Sequence, residues 1–491
     1  MKYLDLYPYP QLAEVETVPG RNINKKCDLC PLHESNKNVC ISAEGDSGGL
    51  LVIGDHPFNT ESSRDRPFVS STGIKLRRLL QKHWKGPLAL DYAIRCSPGK
   101  STKIGDKHIS ACRSYLAKTI SDVKPSRIIT TGTIAMKSVL GRGVGSLSCR
   151  KGFSWLENSK VPVFTLMGGY FSLGNRFLHE WFEEDLRWAL TADIDSLRQQ
   201  SSRNGCAVII ENEEDALATV GSLVNCDWVS YDVETVGRAF NNDFEIISLA
   251  VSGKGMEDAY VWSGDSLSDS KIMRPILELL ADNSVKVIAQ NAKYDATAIY
   301  SYFGKHVNGL TIDTRLVRKI LEPESLASLD VMQEICGMGG GKGIAKEAIK
   351  SITRRISRAK SDEELSLVGP IEWTKPIATK KYSAGAYAYG LIDTVVRDRY
   401  CARDAVSTAR LGEIFEERIH KEKGLLTVWN EIMLPAAKAI EHVEQWGVHV
   451  DKEMASNFAT SVQTDIERVR IELLKDGEFN LNSTKEMQEF L

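Results

Sequence analysis

Short apolar runs bounded by Gly, Ser and Asp recur through the first 190 residues, in GLLVIGD (49–55), SRIITTG (126–132) and VPVFTL (161–166), with stretches of helical spacing between them. Strands alternating with helices predict an α/β layered domain over residues 1–190. The stretch TADIDSLRQQSSRNG, 191–205, is polar and ends on Gly, the composition of a linker or of a helix running into one. A second α/β unit is predicted over 206–424, opening with CAVIIENEEDA and continuing through WVSYDVET and IISLAVSG as strands. From 425 to 491 the pattern is helical, punctuated by Gly447 and Gly477. The fold class expected is therefore α/β multidomain with a helical carboxy-terminal segment.

Composition changes this picture little. A chain of 491 residues exceeds one hydrophobic core, and 62 Lys+Arg against 65 Asp+Glu give a net charge of −3, which excludes a uniformly basic nucleic-acid binder. Basic stripes beside acidic sites stay compatible with that total. No window approaches the roughly 20 apolar residues of a spanning helix, and the opening MKYLDLYPYPQL lacks signal-peptide order, so a cytoplasmic protein without a membrane partner is expected. Ten unevenly spaced cysteines in such a setting point to metal ligation or plain burial.

Four of those cysteines form a pattern: Cys27 and Cys30 as C-x-x-C, then Cys96 and Cys112 sixteen residues apart. Two thiolate pairs can close around one soft centre, and spacing alone leaves zinc and a [4Fe–4S] cluster both open. Cys27-x-x-Cys30-Pro-Leu, LLVIGDHP, RPFVSSTG, RCSPG and Cys112 together resemble the iron–sulfur uracil-DNA glycosylases over about residues 25–180. The resemblance implies an α/β/α glycosylase-like domain and favours a [4Fe–4S] cluster on those four cysteines. The family's chemistry transfers incompletely. Phe68 matches the stacking Phe, and the Gly-Glu-x-Pro-Gly loop reads Gly54-Asp55-His56-Pro57-Phe58. Tyr92 replaces the base-reading Asn, and FTLMGGYFSLGNR lacks the late His-Pro. A site deprived of that amide leaves the polar edge of uracil unread, so the expectation is a degenerate pocket (Asp55, His56, Phe68, Tyr92) that no longer excises bases. The alternatives are a repair glycosylase with a reorganised site and a non-catalytic module that grips DNA or a replisome partner.

In the second unit, WVSYDVET sets Asp232 and Glu234 two apart on a strand, projecting from one face. Paired acids on one face repel unless a cation lies between them. VIAQNAKYDATAIY supplies Asn291 and Asp295, and DRYCARDAVSTARL sets Tyr400 and Asp404 four apart on one helical face. The three motifs in this order resemble the proofreading 3′–5′ exonuclease domain, of ribonuclease H-like fold, over about 206–420. That resemblance implies two Mg²⁺ or Mn²⁺ ions on Asp232, Glu234, Asp295 and Asp404, Tyr400 orienting the attacking water, Asn291 shaping the Asp295 loop, and nucleoside 5′-monophosphates leaving single-stranded DNA 3′ ends.

Between these motifs, residues 341–360 carry seven basic residues and one acid. Lys342, Lys346, Lys350, Arg354 and Arg358 recur every four residues, while Ala345, Ile349, Ile352 and Ile356 keep core spacing. This amphipathic helix is expected to track a DNA backbone. The preceding GMGGGKG lacks the Ser or Thr that would bind Mg²⁺ after Lys342 and reads as a flexible loop. At the end, Glu444 to Asp451 (E-x-x-G-V-x-V-D) and Phe479 to Ser483 (F-N-L-N-S) resemble the opening of the thumb in family A DNA polymerases. The order of parts is similar to that in polymerases of large Bacillus phages that replace thymine with hydroxymethyluracil. It implies a role in viral DNA replication in the bacterial cytoplasm, primer-template DNA as partner, and palm and fingers from a continuation of the chain or a second chain.

Overall fold

The computed structural model describes residues 1–5, 27, 29–32, 40–98, 103–141, 150–156, 159–169, 173, 176–200, 205–338, 342–379, 385–473, 480 and 483–490. Its first strand, β1 (Lys2–Asp5), does not belong to the domain that follows it. That domain is built on β2 (Glu44–Gly45), β3 (Leu50–Gly54), β4 (Leu88–Tyr92), β5 (Arg127–Thr131), β6 (Gly152–Trp155) and β7 (Pro162–Leu166). They pair in the order β2-β4-β3-β5-β7-β6, with β4, β3, β5 and β7 parallel and the two outer strands antiparallel. Every residue of β3 and β7 is buried, as a parallel sheet covered on both faces requires. Helices Ser71–His83 and Arg176–Thr191 line one face; Asp106–Val123 and Thr133–Leu140 line the other. The polar stretch expected to link the domains holds a helix, Ile194–Gln200.

The second sheet comprises β8 (Cys206–Ile209), β9 (Val229–Val236), β10 (Glu245–Gly253), β11 (Ala259–Ser263), β12 (Val287–Ala289) and β13 (Leu310–Asp313), in the order β1-β8-β11-β10-β9-β12-β13. Here the reading of residues 1–190 as one domain needs correction: Lys2–Asp5 pairs antiparallel with Cys206–Ile209 and closes the edge of this sheet. Edge strands expose unpaired backbone groups, and the amino terminus covers this one. The sheet is sandwiched between two apolar layers. One contains Tyr231, Leu249, Trp262 and Ile276; the other contains Trp228, Ile288, Ala405 and Phe415.

The 28-residue helix Thr394–Lys421 runs across that second face, started by Asp393, whose carboxylate accepts from the backbone N–H of Val395 and Val396. Its close approach depends on Gly412, where a Cβ would stand 2.7 Å from Ile288 Cδ1. The predicted basic amphipathic segment forms the helix Lys342–Arg358, with Ala345, Ile352 and Ile356 buried beside Tyr387 and Tyr400. Lys350, Arg354 and Arg358 are exposed, whereas the side chains of Lys342 and Lys346 and the centre of GMGGGKG (339–341) lie outside the described residues.

Residues Ala439–Leu491 form a separate unit. Gly447 adopts φ +71° after the helix Leu434–Trp446 and so turns the chain before the helix Lys452–Leu473. On that second helix Met454, Phe458, Val462, Ile466, Val469 and Leu473 are exposed at helical spacing. Of the F-N-L-N-S motif, Phe479, Leu481 and Asn482 lie outside the described residues.

Gly412→Leu is expected to force the long helix off the sheet and lower stability by about 1–3 kcal/mol, measured as a reduced urea midpoint with unchanged slope.

Candidate functional site

β9 is central in its sheet, hydrogen-bonded on both sides, and this rigid position carries Asp232 and Glu234. The long helix brings Asp404 beneath them. One carboxylate oxygen from each of Asp232, Glu234 and Asp404 lies within 4.8 Å of the others. Asp295, in the first turn of the helix Ala292–Phe303, lines the same cavity of about 360 Å³ and accepts a hydrogen bond from the Val233 backbone N–H, but stands outside that group of three. Tyr400 and Asn291 also line the cavity, so all six exonuclease residues expected from the sequence meet there.

The electrostatics are those of an uncompensated acidic site. Asp232 Oδ2 is shielded from solvent and has no hydrogen-bond donor. Burial, and then the charges of Asp404, Asp295 and Glu234, push the Asp232 carboxyl well above the usual carboxylate range. Asp295 is raised likewise, chiefly by burial. The Tyr400 hydroxyl is held firmly protonated by burial and the adjoining acids, and it is hydrogen-bonded to Tyr389. A buried carboxylate oxygen with no donor, in a group of three, suits a hard divalent cation with oxygen ligands.

Four residues that sequence reasoning passed over complete the site. Asp313, at the end of β13, accepts from the backbone N–H of Asn291 at 3.2 Å and of Ala292 at 2.8 Å, which holds Asn291 in its left-handed conformation (φ +59°). The same carboxylate caps the helix Thr314–Leu321. An acid between a strand and a helix is a legible capping signal; its second task, across 22 residues, is not. Arg315 donates to Asn291 Oδ1 at 2.8 Å and is the one basic residue lining the cavity among the described residues. Tyr389 partners Tyr400, and Gln333 donates from Nε2 to Asp404 Oδ1 at 2.7 Å.

The first domain holds two further constellations. Cys96 and Cys112 are buried and Cys27 and Cys30 half-buried, in an apolar nest with Leu32, Ile94, Ile104, Ile109 and Ile134. A fifth thiol, Cys40, sits in the same nest, and its backbone N–H donates to the Cys96 sulfur; the Arg95 backbone N–H donates to that of Cys112. Burial pushes the Cys40 and Cys112 thiols up to about 12, so such sulfurs ionise only against a strong counter-charge.

Asp55, His56, Phe68 and Tyr92 line one cavity of about 440 Å³. The Tyr92 ring stacks on Phe68 with centroids 4.6 Å apart at 22°, and its hydroxyl accepts from the Phe68 N–H at 3.1 Å. Asp55 accepts from the backbone N–H of Ile134 and, at 2.8 Å, of Ala135, so it caps the helix Thr133–Leu140. The close fit requires Gly132, where a Cβ would stand 2.3 Å from that carboxylate.

Comparison with known proteins follows these divisions. Residues 44–187 match the uracil DNA glycosylase superfamily, and residues 207–420 match a 3′–5′ exonuclease family. The type-4 uracil-DNA glycosylase of Pyrobaculum aerophilum is 32% identical over 134 residues, 26% of this chain and 68% of that protein. DNA polymerase I of Borreliella burgdorferi is 24% identical over 282 residues, 55% of this chain but 26% of its own length. The DNA polymerase of Escherichia phage T5 is 22% identical over 274 residues, 54% of this chain and 30% of its own. The chain belongs, through its first domain, to the uracil-DNA glycosylase superfamily, and its second domain matches the 3′–5′ exonuclease family found in DNA polymerase relatives of which the chain spans less than a third. That domain implies a divalent metal and DNA as a binding partner. No helix among the described residues is long and apolar enough to cross a membrane.

Because Asp232 and Asp295 retain protons in the folded state that the unfolded chain releases, the stability of metal-free protein is expected to fall as pH rises above about 4. Asp232→Asn should raise the metal-free Tm at pH 7 by roughly 2–4 °C, the shift that about 1 kcal/mol produces. Saturating Mg²⁺ should remove this advantage. Calorimetric scans with and without Mg²⁺ check both outcomes.

Proposed function

We propose that the chain is the proofreading part of a DNA-directed DNA polymerase, and that its second domain removes nucleoside 5′-monophosphates from single-stranded DNA 3′ ends during viral DNA replication. The observation that carries this reading is the group Asp232, Glu234 and Asp404, with Glu234 and Asp404 buried and one Asp232 oxygen shielded from solvent without a partner. These three residues would hold a divalent cation, and Asp295 would support a second. When bound, Mg²⁺ or Mn²⁺ would supply an ionised water and offset the charge of a phosphodiester transition state. The chain's own residues do the rest. Tyr400, neutral and able both to donate and to accept, orients the attacking water, and Tyr389 fixes its ring. Arg315, aimed by Asn291, offers a guanidinium to the phosphate opposite the acids. Lys350, Arg354 and Arg358, with Lys342 and Lys346 on the same helix, provide a sequence-independent track for the strand.

The head domain supports a different reading from its relatives' name. Tyr92 stacks on one face of Phe68, where its ring competes with a flipped base for the aromatic surface, and Asp55 is committed to a helix end. We read it as a glycosylase fold that does not excise uracil. The thiol nest, with two amide N–H groups aimed at sulfurs, suits a [4Fe–4S] cluster on Cys27, Cys30, Cys96 and Cys112, with Zn²⁺ as the alternative on the same four thiolates. The exposed apolar stripe from Met454 to Leu473 fits a thumb segment covered by palm and fingers, from the same or a second chain.

Asp232→Ala combined with Glu234→Ala should cut hydrolysis of a 3′-labelled single strand by about 10³-fold or more while DNA binding persists; retained hydrolysis would remove the assignment. Replacing Lys350, Arg354 and Arg358 together by Gln should reduce the slope of log affinity against log salt by about 2. Intact protein should release no uracil from a uracil-containing oligonucleotide, and clear turnover would overturn the reading of the head.

A further inference from the structure

Gln333 is fully buried, and it touches the nuclease site through a bond that the three exonuclease motifs do not contain. Its Nε2 donates to Asp404 Oδ1 at 2.7 Å and to Ser407 Oγ at 3.0 Å, while Ser407 spends its own proton on the Arg403 carbonyl at 2.6 Å. An ionised carboxylate only accepts, so the nitrogen of the amide must face it. The other end of the amide, Oε1, is buried without a partner. Volume alone would be served better by an apolar side chain, because a buried acceptor left unmade is costly. The polar end that is satisfied points at Asp404.

The residue after it faces the opposite way. The Glu334 carbonyl accepts the Phe153 N–H at 2.8 Å. Phe153 lies on β6, the outermost strand of the head sheet, whose outer edge would otherwise present an unpaired donor there. Electrostatics favour the same approach: Arg150, paired with Asp185 and Glu184 in the head, attracts Glu322, which Arg318 and Arg418 hold in the second domain. On either side of Glu334 the segment is pinned by Leu329, Met332, Ile335 and Met338, buried against the long helix. A continuous set of contacts thus runs from the head's edge strand, through one turn of chain, to a carboxylate of the nuclease site.

We propose that Gln333 is a positioning residue for the exonuclease carboxylates, and that the head domain serves the nuclease as a brace, holding through Glu334 the segment that presents Gln333. This rests on the exonuclease reading above. A donor fixed on Asp404 Oδ1 sets the orientation of the carboxylate that joins Asp232 and Glu234, and such outer partners set metal affinity by about 10–100-fold. The head, having lost base excision, keeps a mechanical task that needs its fold and its edge and makes no use of its pocket.

The test uses the whole chain and Mn²⁺ alone. Free Mn²⁺ is followed by electron paramagnetic resonance during titration of wild type and of Gln333→Met, which keeps the side-chain length and deletes the donor. The variant should bind Mn²⁺ about 10–100-fold more weakly, with KM for a single-stranded 3′ end within about twofold of wild type, since the change acts on a carboxylate and not on DNA. Coupling is reciprocal, so saturating Mn²⁺ should slow hydrogen exchange at the Phe153 amide in wild type; this readout needs no variant to fold. Wild-type affinity in Gln333→Met, or exchange at Phe153 that ignores Mn²⁺, overturns the brace. A wild type that takes up no Mn²⁺ overturns the exonuclease reading as well, which separates the two failures.

Discussion

Carboxylates that share a buried space without a proton or a cation between them repel. At 4.8 Å and an effective dielectric of 20, two unit charges oppose each other by about 3 kcal/mol, and Asp232, Glu234 and Asp404 are held within that distance with Asp295 close by. The fold around them makes sense as a means of keeping the acids together against that repulsion. β9 is locked between two neighbours, the long helix is pressed onto the sheet at Gly412, Asp313 clamps the turn that leads to Asp295, and Gln333 ties Asp404. On the proposed reading, a divalent cation between these acids offsets the repulsion that the fold resists.

The head's parallel sheet and flanking helices follow the glycosylase superfamily, and in its cavity Tyr92 stacks on Phe68 while Asp55 caps the helix Thr133–Leu140. A fold and the site it carries can vary separately. The edge of the head sheet, which no glycosylase motif touches, carries the contact to the nuclease domain.

Much of this was legible along the chain, for identifiable reasons. Period-two spacing placed Asp232 and Glu234 on one face of a strand, period-four spacing placed Tyr400 with Asp404 and the basic residues on one helix, and the apolar runs at 50–54, 128–131 and 162–166 are strands. Periodicity reports which face a residue occupies but not what lies opposite. That is why Lys2–Asp5 pairing across some 200 residues with Cys206–Ile209 went unforeseen, as did Cys40 in the thiol nest, Arg315 at the cavity and Gln333 on Asp404. Each of these is a long-range contact made by a residue with no local pattern to mark it. The ring of Tyr92 is intermediate: its identity signals a missing amide, and only the fold shows that it stacks on Phe68.

The central claim is that Asp232, Glu234 and Asp404 are held together for a metal ion. Crystals of the full chain equilibrated with Mn²⁺ and measured at the manganese absorption edge test it most directly. An anomalous peak ligated by Asp232, Glu234 and Asp404 is expected, and it should vanish in Asp232→Asn. Saturating Mn²⁺ that leaves these carboxylates without a peak, or that binds only elsewhere on the surface, would contradict it.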